Sequence, residues 1–539
     1  MINKFWDNFK SEEIFITDDY GNEMSYAEFA ELTKFIIYKY KLNNLKQKKI
    51  IVSRKSDIYL VSIIYAIFLT RNIYIPVDIN LPIDRKKYIF DNSEADFSIL
   101  QSDIKFEKKE YENFDTLMNL EEDSAYIIYT SGTSGHPKGV EILFKSIDNE
   151  MKWITKEFSI NNQDKILQRT SISFDASIWE ILLPIYTNCK MHVLSSTNQK
   201  NPYRILETIN DKNITLLQGV PTLLNILFSF EKKIKFLRIV FSGGEKLTNN
   251  LTNKIFSNTD IDYIVNLYGP TETCINITYY CVNRNDIHEH EIPIGQVIDN
   301  NYVYLLDDDL EEVGENQIGM IAIGGINLAN CYIKDENLTN DKFIESERYG
   351  RLYLTGDLGI LSGKGNFYFK GRLDRQVKLR GYRIELEEIE SFVNSREYVS
   401  QSYIEVVENN NGFSNMRLYV DIDTKNKEIL ELELKDYFPP YMIPEISCVK
   451  GFQFNNSGKI DLLNTKVKDN IMDYIMKLKN LDYLDSQNFF ELELDSLNFI
   501  ELANFIKNKY GKNIDIIDFY TGIQTIDDCI QFMSEQDEE

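Results

Sequence analysis

The sequence predicts an α/β protein: a large N-terminal part of parallel sheets, helices and a small β-barrel, then a small α+β part, then a four-helix bundle. Three observations predict it. Residues 50–100 alternate strand-like runs with a helically spaced one (IIVSR, YLVSIIYAIFL, NIYIPVDI), a β-α-β rhythm that implies a parallel sheet with crossover helices. Residues 292–369 turn short, alternating and glycine-punctuated (IPIGQV, YVYLLDDDL, GMIAIGG, GNFYFKG), which reads as antiparallel strands. The end of the chain is helical in pattern and of a size that suits a bundle.

Size and charge bound the function. A chain of 539 residues and 63.2 kDa holds several cores, and 43% hydrophobic and 13% aromatic residues make it globular rather than disordered. A formal charge of −25 argues against nucleic acid or an anionic membrane as partner. It also means that any polyanion site must concentrate positive charge locally. The start, MINKFWDNFK, lacks the apolar core and cleavage pattern of a secretory signal, and the most apolar stretch, residues 59–70, is too short to span a bilayer. Six cysteines lie far apart with no CxxC pair, as expected of reduced thiols in a cytoplasm.

Taken in order, the first chemical signal is residues 126–140, YIIYTSGTSGHPKGV. An apolar strand runs into Thr130, Ser131, Gly132, Thr133, Ser134 and Gly135, with Lys138 close behind. Glycines let a backbone approach a ligand and aim successive N–H groups into one concavity, while hydroxyls and a lysine add donors. The run suits a polyphosphate. It is not a Walker loop, because Pro137 precedes Lys138 and Gly139 follows it. Strand-then-helix patterns then recur over 164–185, 214–226 and 237–247, and a further strand spans 261–267; FDASIWE, Gly243-Gly244-Glu245 and YGPTET follow strands. Ligands of open α/β sheets bind beyond the carboxyl ends of strands, so one cleft is expected. Residues 371–381, GRLDRQVKLRG, read as a boundary, and 535–539 as a disordered acidic end.

The loop at 126–140 resembles that of the adenylate-forming enzymes: acyl-CoA synthetases, luciferases and the adenylation domains of nonribosomal peptide synthetases. The resemblance covers essentially the whole chain, with several motifs in the family's order. It implies an ATP site made of the loop (residues 130–135 with Lys138), Gly243, Gly244, Glu245, Gly269 and Thr271. Tyr268 in LYGPTET resembles the ring that stacks on adenine, and Glu272 the carboxylate that binds Mg2+, in keeping with a flat aromatic face for a purine and a hard oxygen for a hard cation. Asp357 in YLTGD resembles the ribose-binding aspartate, with Arg372 assisting. Lys459 in NSGKID resembles the catalytic lysine, acting with Lys138 and Glu272. A carboxylate attacking a triphosphate brings two anions together, and a lysine bridging them offsets that repulsion most in the transition state. The chain departs from the family's usual pattern at Ser457 and Leu462.

The same resemblance implies a hinge at Asp374, a thiol tunnel lined at Gly381, and a phosphopantetheine-bearing serine at Ser496 in LDSL, where Glu493-Leu494 stand in place of the common Gly-Gly. Domains are expected at 1–373, 374–468 and 469–536. Asp175 matches the aspartate that pairs with a substrate α-ammonium; a fatty or aryl acid has no cation for it, and an unpaired buried carboxylate is costly. The family's pocket positions fall on Asp175, Ala176, Trp179, Gln218, Phe241, Gly243, Leu267, Ile275 and Asn276. Two amides, Gln218 and Asn276, suit an amide side chain, so L-glutamine is the expected substrate, with glutamate or asparagine behind it. Partners are then a phosphopantetheinyl transferase and condensation or tailoring enzymes in trans, since no condensation histidine motif or Gly-x-Ser-x-Gly elbow occurs. An acyl- or aryl-CoA ligase is the alternative enzyme, and a scaffold with a dead nucleotide site the alternative non-enzyme.

Overall fold

A computed structural model of the chain describes residues 5–101, 104, 106, 111, 122–132, 135–230, 233–284, 291–408, 414–454, 460–479, 487–492, 494 and 496–536. Thr133, Ser134, Lys459 and the acidic residues 537–539 lie outside them. The chain divides into two compact units: residues 1–388 with 436–442, and residues 389–435 with 443–539.

In the first unit, a nine-stranded sheet sets side by side the strands whose ends bear the sequence motifs. Lys165–Gln168, Leu216–Gly219, Ile239–Gly243 and Tyr263–Tyr268 are consecutive and parallel, so their carboxyl ends share one edge. A six-stranded sheet holds Lys49–Ser53 and Ile73–Pro76, parallel as the β-α-β rhythm requires. Ser124–Thr130 pairs antiparallel with Lys138–Leu143 in the same sheet. The glycine-rich loop is therefore the turn of a hairpin, and Lys138 is anchored on a strand opposite Thr130. A third sheet, built on Asn301–Leu306, Gly319–Gly325 and Gly350–Leu361, is antiparallel throughout.

The helix Ile58–Leu69 explains the apolar stretch. Eleven of its residues are buried, and the ten apolar ones lie in one core cluster with Ile16 of the nine-stranded sheet and Ile50 of the six-stranded one. A helix apolar all round belongs in a core, and each buried Leu or Ile there is worth about 1.5–3 kcal/mol. Asp57 caps it by accepting the Leu60 N–H at 2.9 Å. Among the described residues no helix is long and apolar enough to cross a membrane.

In the second unit, the strands Gln401–Glu408 and Ser414–Asp421 pair antiparallel, and Glu445–Val449 adds in parallel. The helices Leu462–Lys479, Ser496–Tyr510, Ile516–Thr521 and Ile526–Glu535 close around Phe489, Phe499, Phe519 and Ile530. Capping boxes at Asp515 and Thr525 start the last two. One helix runs unbroken from Leu462 to Lys479, through position 468, with neither glycine nor proline to stop it.

Candidate functional site

The shared edge of the parallel strands opens onto one cavity of the first unit. Thr130 and Ser131 of the hairpin loop line it, as do Asp175, Gly244, Gly269, Thr271, Asp357, Arg372 and Gly381. Residues more than 250 positions apart thus meet at one place. Gly269 sits so close to the returning chain that a Cβ there would run into the Ile275 carbonyl. The Thr130 hydroxyl is buried with no hydrogen-bond partner, a donor left for something that enters.

Beside the cavity lies a buried charge cluster. Glu272 is 0% exposed. Lys138 Nζ stands 3.4 Å from its Oε1, Arg383 Nη1 donates to its Oε2 at 2.6 Å, and the Tyr332 hydroxyl donates to Oε1 at 2.7 Å. Burial alone would raise its pKa, but Arg383, Lys138 and Tyr332 together hold the carboxyl well below the usual range. Lys138 is lowered as well: burial and the Arg383 charge lower it, and Glu272 opposes them. On the far side, Tyr268 donates its hydroxyl to Asp357 Oδ2 at 2.5 Å, and Arg372 pairs with the other oxygen of Asp357. Arg372 also holds Asp374 at 2.6 Å.

The segment 377–384 closes this wall as a two-stranded hairpin. Gly381 adopts φ 81°, its N–H donates to Glu245 Oε1 at 2.5 Å, and a Cβ there would strike the Val220 side chain. Glu245 also accepts from the Thr222 N–H at 2.9 Å and its hydroxyl at 2.7 Å. Ser131 donates its hydroxyl to the Arg383 carbonyl at 2.9 Å, the Gly132 N–H reaches Glu388 Oε2 at 3.3 Å, and the Gly135 carbonyl accepts from Tyr437 at 3.2 Å. Sequence reasoning did not single out Arg383 or the half-buried Lys378, whose Nζ lies 5.6 Å from the Tyr268 ring centre. The available signal was charge: an acidic chain needs local cations, and KLRGYR supplies three in six residues.

Of the nine expected pocket positions, Asp175 reaches the cavity wall; Trp179, Phe241, Leu267, Ile275 and Asn276 are buried, and Ala176, Gln218 and Gly243 are half-buried. Asp175 starts the helix Ala176–Thr187, accepting the Ala176 N–H at 2.8 Å. Burial raises its carboxyl, and hydrogen bonds from Thr271 and Ala176 restrain it. Ala176 is partly buried against the same core. Trp179 and Phe241 meet edge to face at 5.2 Å. Gln218 registers with Phe241 across the sheet, and Gly243 with Leu267. Ile275, at φ 76°, and Asn276 back onto Gly269. Two polar atoms of this layer, Gln218 Oε1 and Trp179 Nε1, are buried without partners. Arg169 donates to the Gln218 backbone carbonyl at 3.2 Å, so a guanidinium stands near the pocket strand that the sequence did not suggest; buried Glu180 interacts with it.

In the second unit Ser496 opens the helix Ser496–Tyr510 and is exposed. Its Oγ lies 2.9 Å from the Tyr520 hydroxyl, and Leu494 packs into the bundle core behind it. An accessible hydroxyl at the head of a helix fits the attachment of a prosthetic arm.

A loop-and-strand-end cavity with paired cations, together with an exposed serine on a helical bundle, defines an adenylate-forming enzyme joined to a carrier. Residues 4–333 match the family described as AMP-binding enzyme, and residues 475–533 that described as phosphopantetheine attachment site. The chain belongs to the AMP-binding enzymes and bears a phosphopantetheine attachment domain; it is an ATP-using ligase of the nonribosomal peptide synthetase kind. Among relatives, it is 32% identical over 425 residues to zwittermicin A synthase ZmaJ of Bacillus cereus, covering 74% of this chain and 81% of that one. It is 35% identical over 393 residues to indigoidine synthase of Streptomyces lavendulae, covering 66% of this chain and 30% of that protein. Of tyrocidine synthase 3 from Brevibacillus parabrevis it spans 6%, at 34% identity over 414 residues and 72% of its own length. In fold it resembles the holo form of an NRPS protein containing adenylation and PCP domains, with TM-score 0.75 and 20% identity over 99% of this chain and 96% of the other.

Proposed function

We propose that this protein activates L-glutamine as its adenylate and loads it onto its own carrier domain at Ser496. The observation that supports the choice of acid is the layer around Asp175. A buried carboxyl whose burial disfavours ionisation asks for a cation, and an α-ammonium supplies one. The orphaned Gln218 Oε1 asks for an N–H, and the orphaned Trp179 Nε1 for an acceptor. A side-chain amide has both, whereas a carboxylate has no N–H to give Gln218.

In this reading the chain's own groups divide the work. Thr130, Ser131, Lys138 and the loop amides bind the phosphates of ATP; Tyr268 packs on adenine; Asp357 and Arg372 hold the sugar. Lys459 bridges the attacking carboxylate and the α-phosphate, and the bond to pyrophosphate breaks as the acyl–phosphate bond forms. Glu272 would hold a magnesium ion through its carboxylate, a hard oxygen ligand kept in the ionised form, with Lys138 or Arg383 giving up its place on one oxygen; no cluster of three ligating side chains occurs among the described residues, so phosphate oxygens would complete the shell. Phosphopantetheine on Ser496 supplies a tethered thiol as acceptor. Asp374 is the proposed hinge, with domain limits at 1–373, 374–468 and 469–536, and Gly381 lines the thiol's path. A transferase that primes Ser496, and condensation or tailoring enzymes acting in trans, are the proposed partners.

Pyrophosphate exchange across all twenty amino acids tests the reading, followed by intact mass after incubation with transferase, CoA, ATP and glutamine. Exchange that peaks with a large aromatic amino acid overturns glutamine. Exchange with none of the twenty but with a fatty or aryl acid assayed alongside them favours an acyl- or aryl-CoA ligase.

A further inference from the structure

A chain of buried amides ends on the pocket layer. It begins at the Asp299 backbone carbonyl, which can only accept, and which takes a hydrogen bond from Asn149 Nδ2 at 2.9 Å. Asn149 therefore turns its Oδ1 outward, where Asn300 Nδ2 donates at 2.8 Å. Asn149 Nδ2 also donates to Asn327 Oδ1 at 2.9 Å. Asn327 is left with its Nδ2 facing Glu150 Oε2, at 3.3 Å. Glu150, on the helix Phe144–Glu157, is 0% exposed, and its other oxygen takes the Asn276 Nδ2 donor at 2.7 Å. Each amide has one donor end and one acceptor end, so the fixed carbonyl at one terminus dictates the orientation of every member up to Glu150.

We propose that Glu150 sets which end of the Asn276 amide the substrate side chain meets, and so acts as the positioning residue that selects an amide over a carboxylate. The proposal rests on the glutamine reading given above. When Glu150 is ionised, Oε1 only accepts; Asn276 gives it Nδ2–H and directs Oδ1 away, as an acceptor for a substrate N–H. When Glu150 is protonated, Oε2 is still committed to accepting from Asn327, so the proton sits on Oε1 and donates. Asn276 must then turn, offering Oδ1 to Glu150 and its NH2 to the pocket, an arrangement that welcomes a carboxylate.

The balance between these forms falls near neutrality. Burial pushes the Glu150 carboxyl up to about 8, against the restraint of Asn276 and Asn327 and with the help of the Asp175 charge. The other titratable groups facing it are Cys274, from the loop preceding Asn276, and Tyr126, from the strand Ser124–Thr130, both with pKa values raised far by burial.

The test measures pyrophosphate exchange by the full-length protein with glutamine and with glutamate, from about pH 6.5 to about pH 9.5, spanning the Glu150 transition. Both substrates share the ammonium and Asp175, and free glutamate is ionised well above about pH 4.3 throughout, so the ratio of their kcat/KM values isolates the side chain. The ratio is expected to rise about tenfold with pH, the worth of one good hydrogen bond to a buried partner. Glu150→Gln accepts from Asn327 through its carbonyl and so donates to Asn276, which fixes the low ratio at every pH. A ratio flat with pH in the unaltered protein overturns the proposal, as does a Glu150→Gln ratio equal to the unaltered one at high pH. Should Glu150→Gln not fold, the unaltered profile decides alone. Glutamine-dependent exchange with a flat ratio refutes the role of Glu150 only; exchange with neither acid refutes the glutamine reading and this proposal together.

Discussion

Asp175→Asn tests the amino-acid site with the least disturbance elsewhere. Asparagine keeps the size of the side chain and caps a helix as well as aspartate, so the Ala176 N–H at 2.8 Å keeps its acceptor. What is lost, in the proposed reading, is the charge that pairs with the substrate ammonium. Removing one partner of a buried ion pair costs about 3–5 kcal/mol, so kcat/KM for the amino acid in pyrophosphate exchange should fall by about 10²–10³-fold or more, while the KM for ATP stays within about twofold. Folding should move oppositely. Because burial raises this carboxyl, ionising it in the native state opposes stability as pH climbs above the unfolded value of about 3.9, so the variant should melt no lower than the parent at pH 7. A loss of kcat/KM below about threefold, or a loss confined to ATP, would refute the pairing.

Glu272→Gln leaves Lys138 and Arg383 facing a neutral amide, and stability at pH 7 should fall by about 3–5 kcal/mol. The Glu272 carboxyl is held below its usual range, so its contribution is present above about pH 4.3 and is given up as pH drops toward the folded value; denaturant midpoints of parent and variant should converge in acid. Ser496→Ala should gain no mass with transferase and CoA yet retain pyrophosphate exchange, and exchange lost in parallel would show that the change reaches the first unit. Asp374→Pro should spare one half-reaction and damage the other, as exchange and single-turnover loading would separately report; equal loss of both would argue against a hinge.

What the sequence reveals here is whatever is contiguous. The hydroxyl–glycine loop, the motifs trailing each strand and the helical end are local patterns, and parallel pairing of neighbouring strands brings the strand-end motifs of the nine-stranded sheet to one edge. What it hides is pairing across distance. Arg383 meets Glu272 from 111 positions away and Asn276 meets Glu150 from 126, and no periodicity marks a buried glutamate inside an otherwise amphipathic helix. The hairpin geometry of the phosphate loop was likewise hidden, because EILF after Gly139 and Val140 reads as readily into the helix that follows as into a strand.

The unbroken helix Leu462–Lys479 has a mechanical corollary. Lys459 lies three positions before its first turn and the carrier bundle is built around its far half. A rod of 18 residues, about 27 Å at 1.5 Å per residue, cannot bend at its middle without breaking backbone hydrogen bonds. In the proposed reading, with Lys459 catalytic and Ser496 bearing the arm, the rod ties these two roles together mechanically, and a glycine pair inserted near position 468 would uncouple its two ends.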